Sequence, residues 1–333
     1  MSVFPLLPSH PVPEGTLHRA PHRSKTTLLA LAAVLCCLTA FLSGCSSQAV
    51  SQPAPGSGGK AAQVVKTWTD DPQWRLDVEP RTNLLRNFRV DAALKLVGSG
   101  QPTPEALATV RDRLAPYGCM DSVTVWDVDL RQESHGFLNG LAVSWHGPDN
   151  ALNKGKDAAA VRKEEKKQLA DAIGKDVTLT PMGNADVAQG LRPLKVHVTS
   201  YSTEEEEAQA AGFRYFRVAA TDFVWPEPQA IDAFVKFYDS LPAKRGWLYF
   251  HCHAGHGRTT TFMVLTEMLE RPAESADQAI ARQKGLGGAD LSHGHRYEML
   301  QQFHRYVQYR NRTPKPLPWS QWIAAHGGDQ GGR

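Results

Sequence analysis

The chain has 333 residues, a formal net charge of +3, 41% hydrophobic and 21% charged residues. That length allows one large domain or two smaller ones, and the balance is that of an ordinary globular protein. The small charge and the lack of a long Lys/Arg block speak against a phosphate-backbone stripe, so nucleic acid is not an expected partner.

The first segment reads as a leader. His18, Arg19, His22, Arg23 and Lys25 form a positive region, and residues 26–42 are almost continuously apolar. This is the pattern of a secretory signal, and it is short for a spanning helix. It ends in Leu42-Ser43-Gly44-Cys45, which resembles a bacterial lipobox. That resemblance implies lipidation at Cys45, a membrane partner through that lipid, and a cell-envelope lipoprotein. Ser46 points to the outer membrane, facing the periplasm. An ordinary cleaved signal or an uncleaved anchor is the alternative. The expected division is a signal over 1–44, a Ser/Gly/Pro-rich tether over 45–65, a folded domain over 66–325 and a disordered tail over 326–333. Cys36 and Cys37 fall in the signal, so Cys119 and Cys252 remain for the domain. Two separated cysteines in an exported chain allow one disulfide; the other reading, preferred here, is one inert and one working thiol.

In chain order, Thr103-Pro104-Glu105 opens a helix that continues to Leu114. Residues 122–130, SVTVWDVDL, alternate as a strand. Residues 146–160 read as loop, 160–173 as a charged surface helix, and 177–179 and 194–198 as short strands. The stretch from about 145 to 201 interrupts the α/β rhythm and reads as an inserted small β-rich subdomain. A helix over 204–211, a strand over 213–219, a helix carrying Ile231, Phe234, Val235, Tyr238 and Leu241, and a buried apolar strand over 247–250 follow. Residues 259–269 are apolar nearly all round and predict a buried helix. Further helices are expected over 276–283 and 297–309, with Trp319 and Trp322 as packing anchors. Alternating strands and helices imply an α/β fold with a mostly parallel central sheet flanked by helices.

Between the strand and the buried helix stands HCHAGHGRTTT, residues 251–261. A Gly-bearing loop there presents backbone N–H groups and a positive dipole end to an anion. Gly255 and Gly257 let the chain curl, so that the backbone of His253, Ala254, Gly255, His256 and Gly257 can ring a phosphate. Cys252 lies beneath that ring, where a thiolate is favoured. Arg258 can grip two phosphate oxygens, and the Thr259 hydroxyl can support the sulfur as it leaves. A metal site built on Cys252 and His256, a purely structural turn and a rhodanese-like loop are the competing readings. Strand alternation points His251 and His253 away from Cys252, which weakens the metal reading.

Phosphoryl transfer to sulfur needs a proton for the departing alkoxide. TDFVWPEP, residues 221–228, offers Asp222 on a loop flanked by Pro226 and Pro228. Asp222 lies too early to be a simple helix cap, and it suits a general acid that later serves as base.

The spacing of cysteine, five residues, arginine and threonine is the signature of cysteine-dependent phosphatases. HCHAGHGRTT, DLRQESHGFLNG (129–140), NFR (87–89), ATDFVWP (220–226) and PWSQW together resemble the protein-tyrosine-phosphatase-like phytases over about residues 75–325. That resemblance implies a tyrosine-phosphatase-like fold, a small barrel inserted after the second block, and stepwise hydrolysis of myo-inositol hexakisphosphate and lower inositol polyphosphates through a cysteinyl-phosphate. It also implies that neither metal nor cofactor takes part. By position it makes Cys252 the nucleophile, Arg258 the phosphate ligand, Asp222 the general acid and Thr259 the assisting hydroxyl. The chain departs from the family at Phe223, where a histidine often stands. For the remaining phosphates, His253 and His256 are expected to add charge at mildly acidic pH, with Arg89, Lys195 and Arg296 as further cations. Asp129, Arg131, Glu133 and His135 are expected to buttress the site, and Cys119 to be packing. The alternatives are a phosphatase of phosphotyrosine or phosphoinositides, and a catalytically silent phosphate-binding module.

Overall fold

The computed structural model describes residues 71–181, 183–188 and 190–326. The expected signal, Cys45, the tether and residues 327–333 of the expected tail lie outside them. In chain order the strands are β1 (Gln73–Leu76), β2 (Arg89–Asp91), β3 (Leu96–Ser99), β4 (Val125–Asp129), β5 (His135–Leu138), β6 (Leu141–His146), β7 (Asp176–Pro181), β8 (Leu194–His197), β9 (Tyr201–Ser202), β10 (Arg214–Arg217) and β11 (Trp247–His251). The helices are α1 (Pro104–Ala108), α2 (Val110–Leu114), α3 (Ala158–Asp171), α4 (Asn184–Ala188), α5 (Glu204–Ala210), α6 (Pro228–Ser240), α7 (Gly257–Glu270), α8 (Ala276–Gly285), α9 (Gly294–Arg312) and α10 (Trp319–Ala325). None is long and apolar enough to cross a membrane.

A five-stranded sheet in the order β10-β4-β11-β3-β2 is parallel except for β2. Its two faces are apolar, as a sheet covered on both sides requires. Leu96, Val128, Leu248 and Phe250 pack with residues of α6, α7, α8, α9 and α10 on one face. Val97, Val125, Trp247 and Tyr249 pack with α1, α2 and α5 on the other. Helix α7 is buried from Arg258 to Met268, as its all-round apolar sequence predicts. The expected 103–114 helix is interrupted at Thr109, whose hydroxyl donates to the Ala106 carbonyl and competes with the helical ladder.

A second sheet, in the order β8-β7-β1-β6-β5-β9, packs its apolar side chains with Leu169 and Ala172 at the end of α3. It holds the strands of the expected 145–201 stretch and extends beyond them. The sheet begins with β1, far upstream, and takes the hairpin β5–β6 from 135–146. The hairpin turn is Asn139-Gly140, both at positive φ (52° and 76°), the dipeptide that closes a two-residue hairpin at least strain.

Candidate active site

The site forms at the carboxyl end of the parallel strands, where open α/β sheets leave a crevice. Strand β11 ends at His251, the loop turns at 252–256, and α7 begins at Gly257. Strand alternation separates the first two residues of the motif. Cys252 joins the core on the α7 side, while His251 Nε2 lies 3.1 Å from Asp127 and 3.0 Å from Glu204 on the other side. Gly255 is at φ +77°, and a Cβ there would sit 2.4 Å from Gly100 N and from the Ser99 carbonyl carbon. The loop therefore packs on the end of β3 in a way only glycine permits. At Gly257 an added Cβ meets only Arg296, at 3.7 Å, so that glycine is not required by space.

Cys252 is 4% exposed and, like Cys119, is a free thiol. Its Sγ accepts from Gly255 N–H at 3.3 Å and from the Thr259 hydroxyl at 3.1 Å. Burial pushes this thiol up, but the Arg258 guanidinium and the Thr259 hydrogen bond outweigh it, and the net pKa is lowered. Arg258 is 1% exposed; its two terminal nitrogens donate to Glu133 at 2.6 and 2.9 Å. Burial works against its charge, yet the Asp222 and Glu133 carboxylates hold its pKa well above the ordinary value. Its Nε is buried without a hydrogen-bond partner among the described residues, and the adjacent nitrogen lies 3.0 Å from Asp222. That edge of the guanidinium is the one placed to grip an oxyanion.

Asp222 is thus brought to the loop from the segment between β10 and α6. Its Oδ1 accepts from Phe223 N–H at 3.0 Å, and Oδ2 lies 3.3 Å from Asn150 Nδ2. Phe223 is 71% exposed at φ +62°. The segment is pinned by Trp225 against Trp319, by a Thr221–Glu227 hydrogen bond, and by Arg296, which donates to the Val224 carbonyl at 2.8 Å.

Several expected substrate cations have other work. Arg89 is 4% exposed and donates to the Gly255 carbonyl at 2.8 Å and Thr260 at 3.1 Å, so it braces the loop from beneath. Burial lowers its pKa to about 10. Lys195 is exposed on edge strand β8 opposite Thr178, and among the described residues no hydrogen bond or ion pair ties it to the loop. Arg296 stands beside Gly257 and ties α7 to the Asp222 segment through Thr261 and Val224. The expected charging of His253 and His256 is corrected. Burial, opposed by Asp77 and reinforced by Arg86 and Arg131, lowers His253 well below the ordinary value. Burial and the Arg89 and Arg86 guanidiniums lower His256, whose Nε2 sits 2.9 Å from Asn87 Nδ2. The carbonyls of His253 and Ala254 instead anchor the loop, accepting from Arg86 at 3.0 Å and Asn87 at 2.7 Å.

Behind Arg258 lies a buried ionic network that joins the two sheets. Glu133 also accepts from Arg131 at 2.8 Å, and Arg131 donates to Asp77 and Gln101, each at 2.7 Å. Gln101 donates to Glu204 at 2.8 Å, and Glu204 faces His251 and His135 at 3.0 Å. Asp129, Glu165 and Arg217 complete it, with Arg217 2.7 Å from Glu165. Asp129, Arg131, Glu133 and His135 thus take the bracing positions expected of them. Asp77, Gln101, Asn150, Glu165, Glu204 and Arg217 were not legible. Asp127, Glu204 and His251 bring one ligand atom each within 4.8 Å, a set able to hold a metal ion. The same carboxylates face histidines instead: His251 lies on Asp127 and Glu204, His135 lies on Glu204, and both imidazoles are held above their ordinary pKa against the cost of burial.

This network predicts an alkaline limit to stability. Burial works against the His135 imidazolium, but Asp129 and Glu165 outweigh it and hold the group up to about 9. A folded value above the unfolded one, near 6.5, gives stabilisation fully present below that pH and lost as pH rises through about 9. The thermal midpoint is expected to fall between pH 7 and 10, by the equivalent of a few kcal/mol. In His135→Gln the slope is expected to be shallower; an unchanged slope would dismiss the charged imidazole.

Comparison with known proteins agrees with this geometry. A sequence model of the protein-tyrosine-phosphatase-like phytases, described as inositol hexakisphosphate, matches residues 128–270. Effector protein hopD2 of Pseudomonas syringae pv. tomato is 29% identical over 219 residues, 59% of this chain and 45% of the effector. The protein-tyrosine-phosphatase-like myo-inositol phosphatase of Mitsuokella multacida, solved with myo-inositol-(1,3,4,5)-tetrakisphosphate, is 30% identical with a TM-score of 0.69, covering 77% of this chain and 50% of that one. The phytase of Bdellovibrio bacteriovorus is 26% identical with a TM-score of 0.64, covering 76% of this chain and 95% of that one. The chain therefore spans about half the length of the first two and nearly all of the third. The chain thus shares its fold with these solved proteins, and its residues 128–270, which hold the candidate site, match the model of the protein-tyrosine-phosphatase-like phytase family.

Proposed function

We propose that the protein is a cysteine-dependent phosphatase that hydrolyses myo-inositol hexakisphosphate and lower inositol polyphosphates through a cysteinyl-phosphate. The observation that carries this reading is the acidified, buried Cys252 sulfur under the Gly255 amide and Thr259 hydroxyl, with Arg258 and Asp222 3.0 Å apart beside it. The phosphate is held by the loop amides and the free edge of Arg258. The Cys252 thiolate attacks phosphorus; the S–P bond forms, the P–O bond to the substrate breaks, and protonated Asp222 gives its proton to the departing oxygen. Asp222, now a carboxylate, takes a proton from water, whose oxygen attacks phosphorus. The S–P bond breaks, inorganic phosphate leaves, and Thr259 supports the returning thiolate. Every group named is supplied by the chain, so no metal or cofactor is needed for the proton or the nucleophile.

The preference for inositol polyphosphates is supported by the family match and by the inositol tetrakisphosphate bound to the Mitsuokella relative. The leader and lipobox support export and attachment through Cys45 as part of the same proposal. The test is phosphate release from inositol hexakisphosphate, a phosphotyrosine peptide and phosphoinositide vesicles, with and without chelator. Preferred release from the hexakisphosphate, unchanged by chelator, is expected. Preference for the peptide or vesicles would overturn the substrate, and loss in chelator would return the reading to a metal site.

A further inference from the structure

The turn after β6 is bent in an uncommon way. Asp149 and Asn150 stand consecutively in the left-handed region, at φ 52° and 53°. Asp and Asn tolerate that conformation better than other non-glycine residues, yet strained pairs persist only where surroundings impose them. Here the imposed result is specific. Asn150 is 2% exposed, and its side chain reaches across to the segment between β10 and α6, where Nδ2 lies 3.3 Å from Asp222 Oδ2. Three residues on, Asn153 is 3% exposed and donates to Ser134 Oγ at 3.0 Å and to the Gln132 carbonyl at 3.2 Å. These flank Glu133, which holds Arg258. One turn of the second sheet is therefore fastened beside the phosphate ligand and presents an amide to the acid.

We propose that Asn150 is the positioning residue that holds the Asp222 carboxyl in line for proton transfer in both of its protonation states. This rests on the phosphatase reading above. The remaining partners of Asp222 are donors, Arg258 at 3.0 Å and Phe223 N–H at 3.0 Å, and the charged one favours the carboxylate over the acid. A phosphate on the free edge of Arg258 competes for that same guanidinium nitrogen, so Asp222 loses its strongest tether as substrate arrives. An amide is different in kind. Its N–H donates to Oδ2, which keeps acceptor lone pairs whether the acid's single proton is present or gone, so that proton is left for the departing oxygen. Asn150 is neutral, so it can hold the carboxyl through the proton cycle without a charge that favours either state. The exposed aromatic Phe223, next in the chain, offers no such bond.

The test separates positioning of the acid from general damage. Asn150→Gly removes the amide while sparing the left-handed backbone. It is expected to lower kcat on an alkyl phosphate, such as an inositol phosphate, by about 10- to 100-fold. KM is expected to stay within about twofold, as positioning of the acid alone would leave it. On p-nitrophenyl phosphate, whose leaving group needs little protonation, the loss is expected to stay within about threefold. Asn150→Ala likewise removes the amide without adding a charge; it gives the same split and serves if the glycine variant is unfolded at the assay temperature. In an Asp222→Asn background, Asn150→Gly is expected to add no further loss. Equal losses on both esters, additive losses in the double variant, or no loss on either ester would each overturn the role of Asn150. A wild-type chain inert toward both esters would instead overturn the phosphatase reading and this inference with it.

Discussion

A Cys252→Ser chain is expected to fold as the parent does and to lose phosphate release by on the order of 10⁴-fold or more, on every substrate. The reason lies in how the sulfur is activated. Around Sγ the structure places donors: the Gly255 amide, the Thr259 hydroxyl and the Arg258 charge. They favour a thiolate that a thiol readily becomes. A hydroxyl is far weaker as an acid and needs a base beside it, as the serine hydrolases provide. Among the described residues no histidine takes that place: His251 and His253 point elsewhere, toward Glu204 and Asp77. Melting curves and phosphate release report the two halves of the expectation. Serine activity above about one per cent would show a base that the geometry lacks.

Glu133→Ala is expected to combine the largest loss of stability with a loss of activity. Both Glu133 oxygens are spoken for, by the terminal nitrogens of Arg258 at 2.6 and 2.9 Å and by Arg131 at 2.8 Å. Burial works against this carboxylate, but the Arg258 and Arg131 charges hold its pKa well below the ordinary range. Truncation leaves two guanidiniums buried beside each other with half their compensation gone. Breaking such a pair costs about 3–5 kcal/mol. In a domain of this size that lowers the thermal midpoint by roughly 10 °C. Arg258, no longer held by its fork, is expected to present its free edge poorly, lowering kcat/KM by about 10²-fold or more. Glu133→Gln, which keeps the shape and one acceptor, is expected to fall between. Melting curves and kinetics on the same preparations check both; a thermally neutral alanine variant would mean that the network is held elsewhere.

The make-up of the candidate site was legible because it is written locally. A buried strand, a five-residue loop with glycine at 255, and an arginine opening a helix determine their own geometry through hydrogen bonds between near neighbours. The alternation of β11 alone separated Cys252 from His251. The second sheet was partly legible and partly missed. Asn139-Gly140 between apolar runs marks a hairpin, yet only the pairing of β6 with distant β1 shows where the sheet begins. Asp127 and Asp129 alternate with valine in SVTVWDVDL, which reads as a strand with a wet face. Because β4 is central and parallel, both faces are covered and both carboxylates are buried.

The charge states of the surrounding groups had to wait for the fold. Histidines in the loop look like added positive charge until the fold buries them beside Arg86, Arg89 and Arg131, which lowers their pKa values. Arg89 looks like a rim cation until its guanidinium is found under the Gly255 carbonyl. Asn150 carries no signal at all until a left-handed turn delivers it to Asp222, 72 residues away in the chain. By itself the sequence determined which residues to look at, Cys252, the loop to Arg258, and Asp222, because spacing within a strand, loop and helix is covalent information. The tertiary structure decided which buried charges meet, and therefore which groups are ionised and which way they are held, because electrostatic energies in a closed interior depend on distances between residues far apart in sequence.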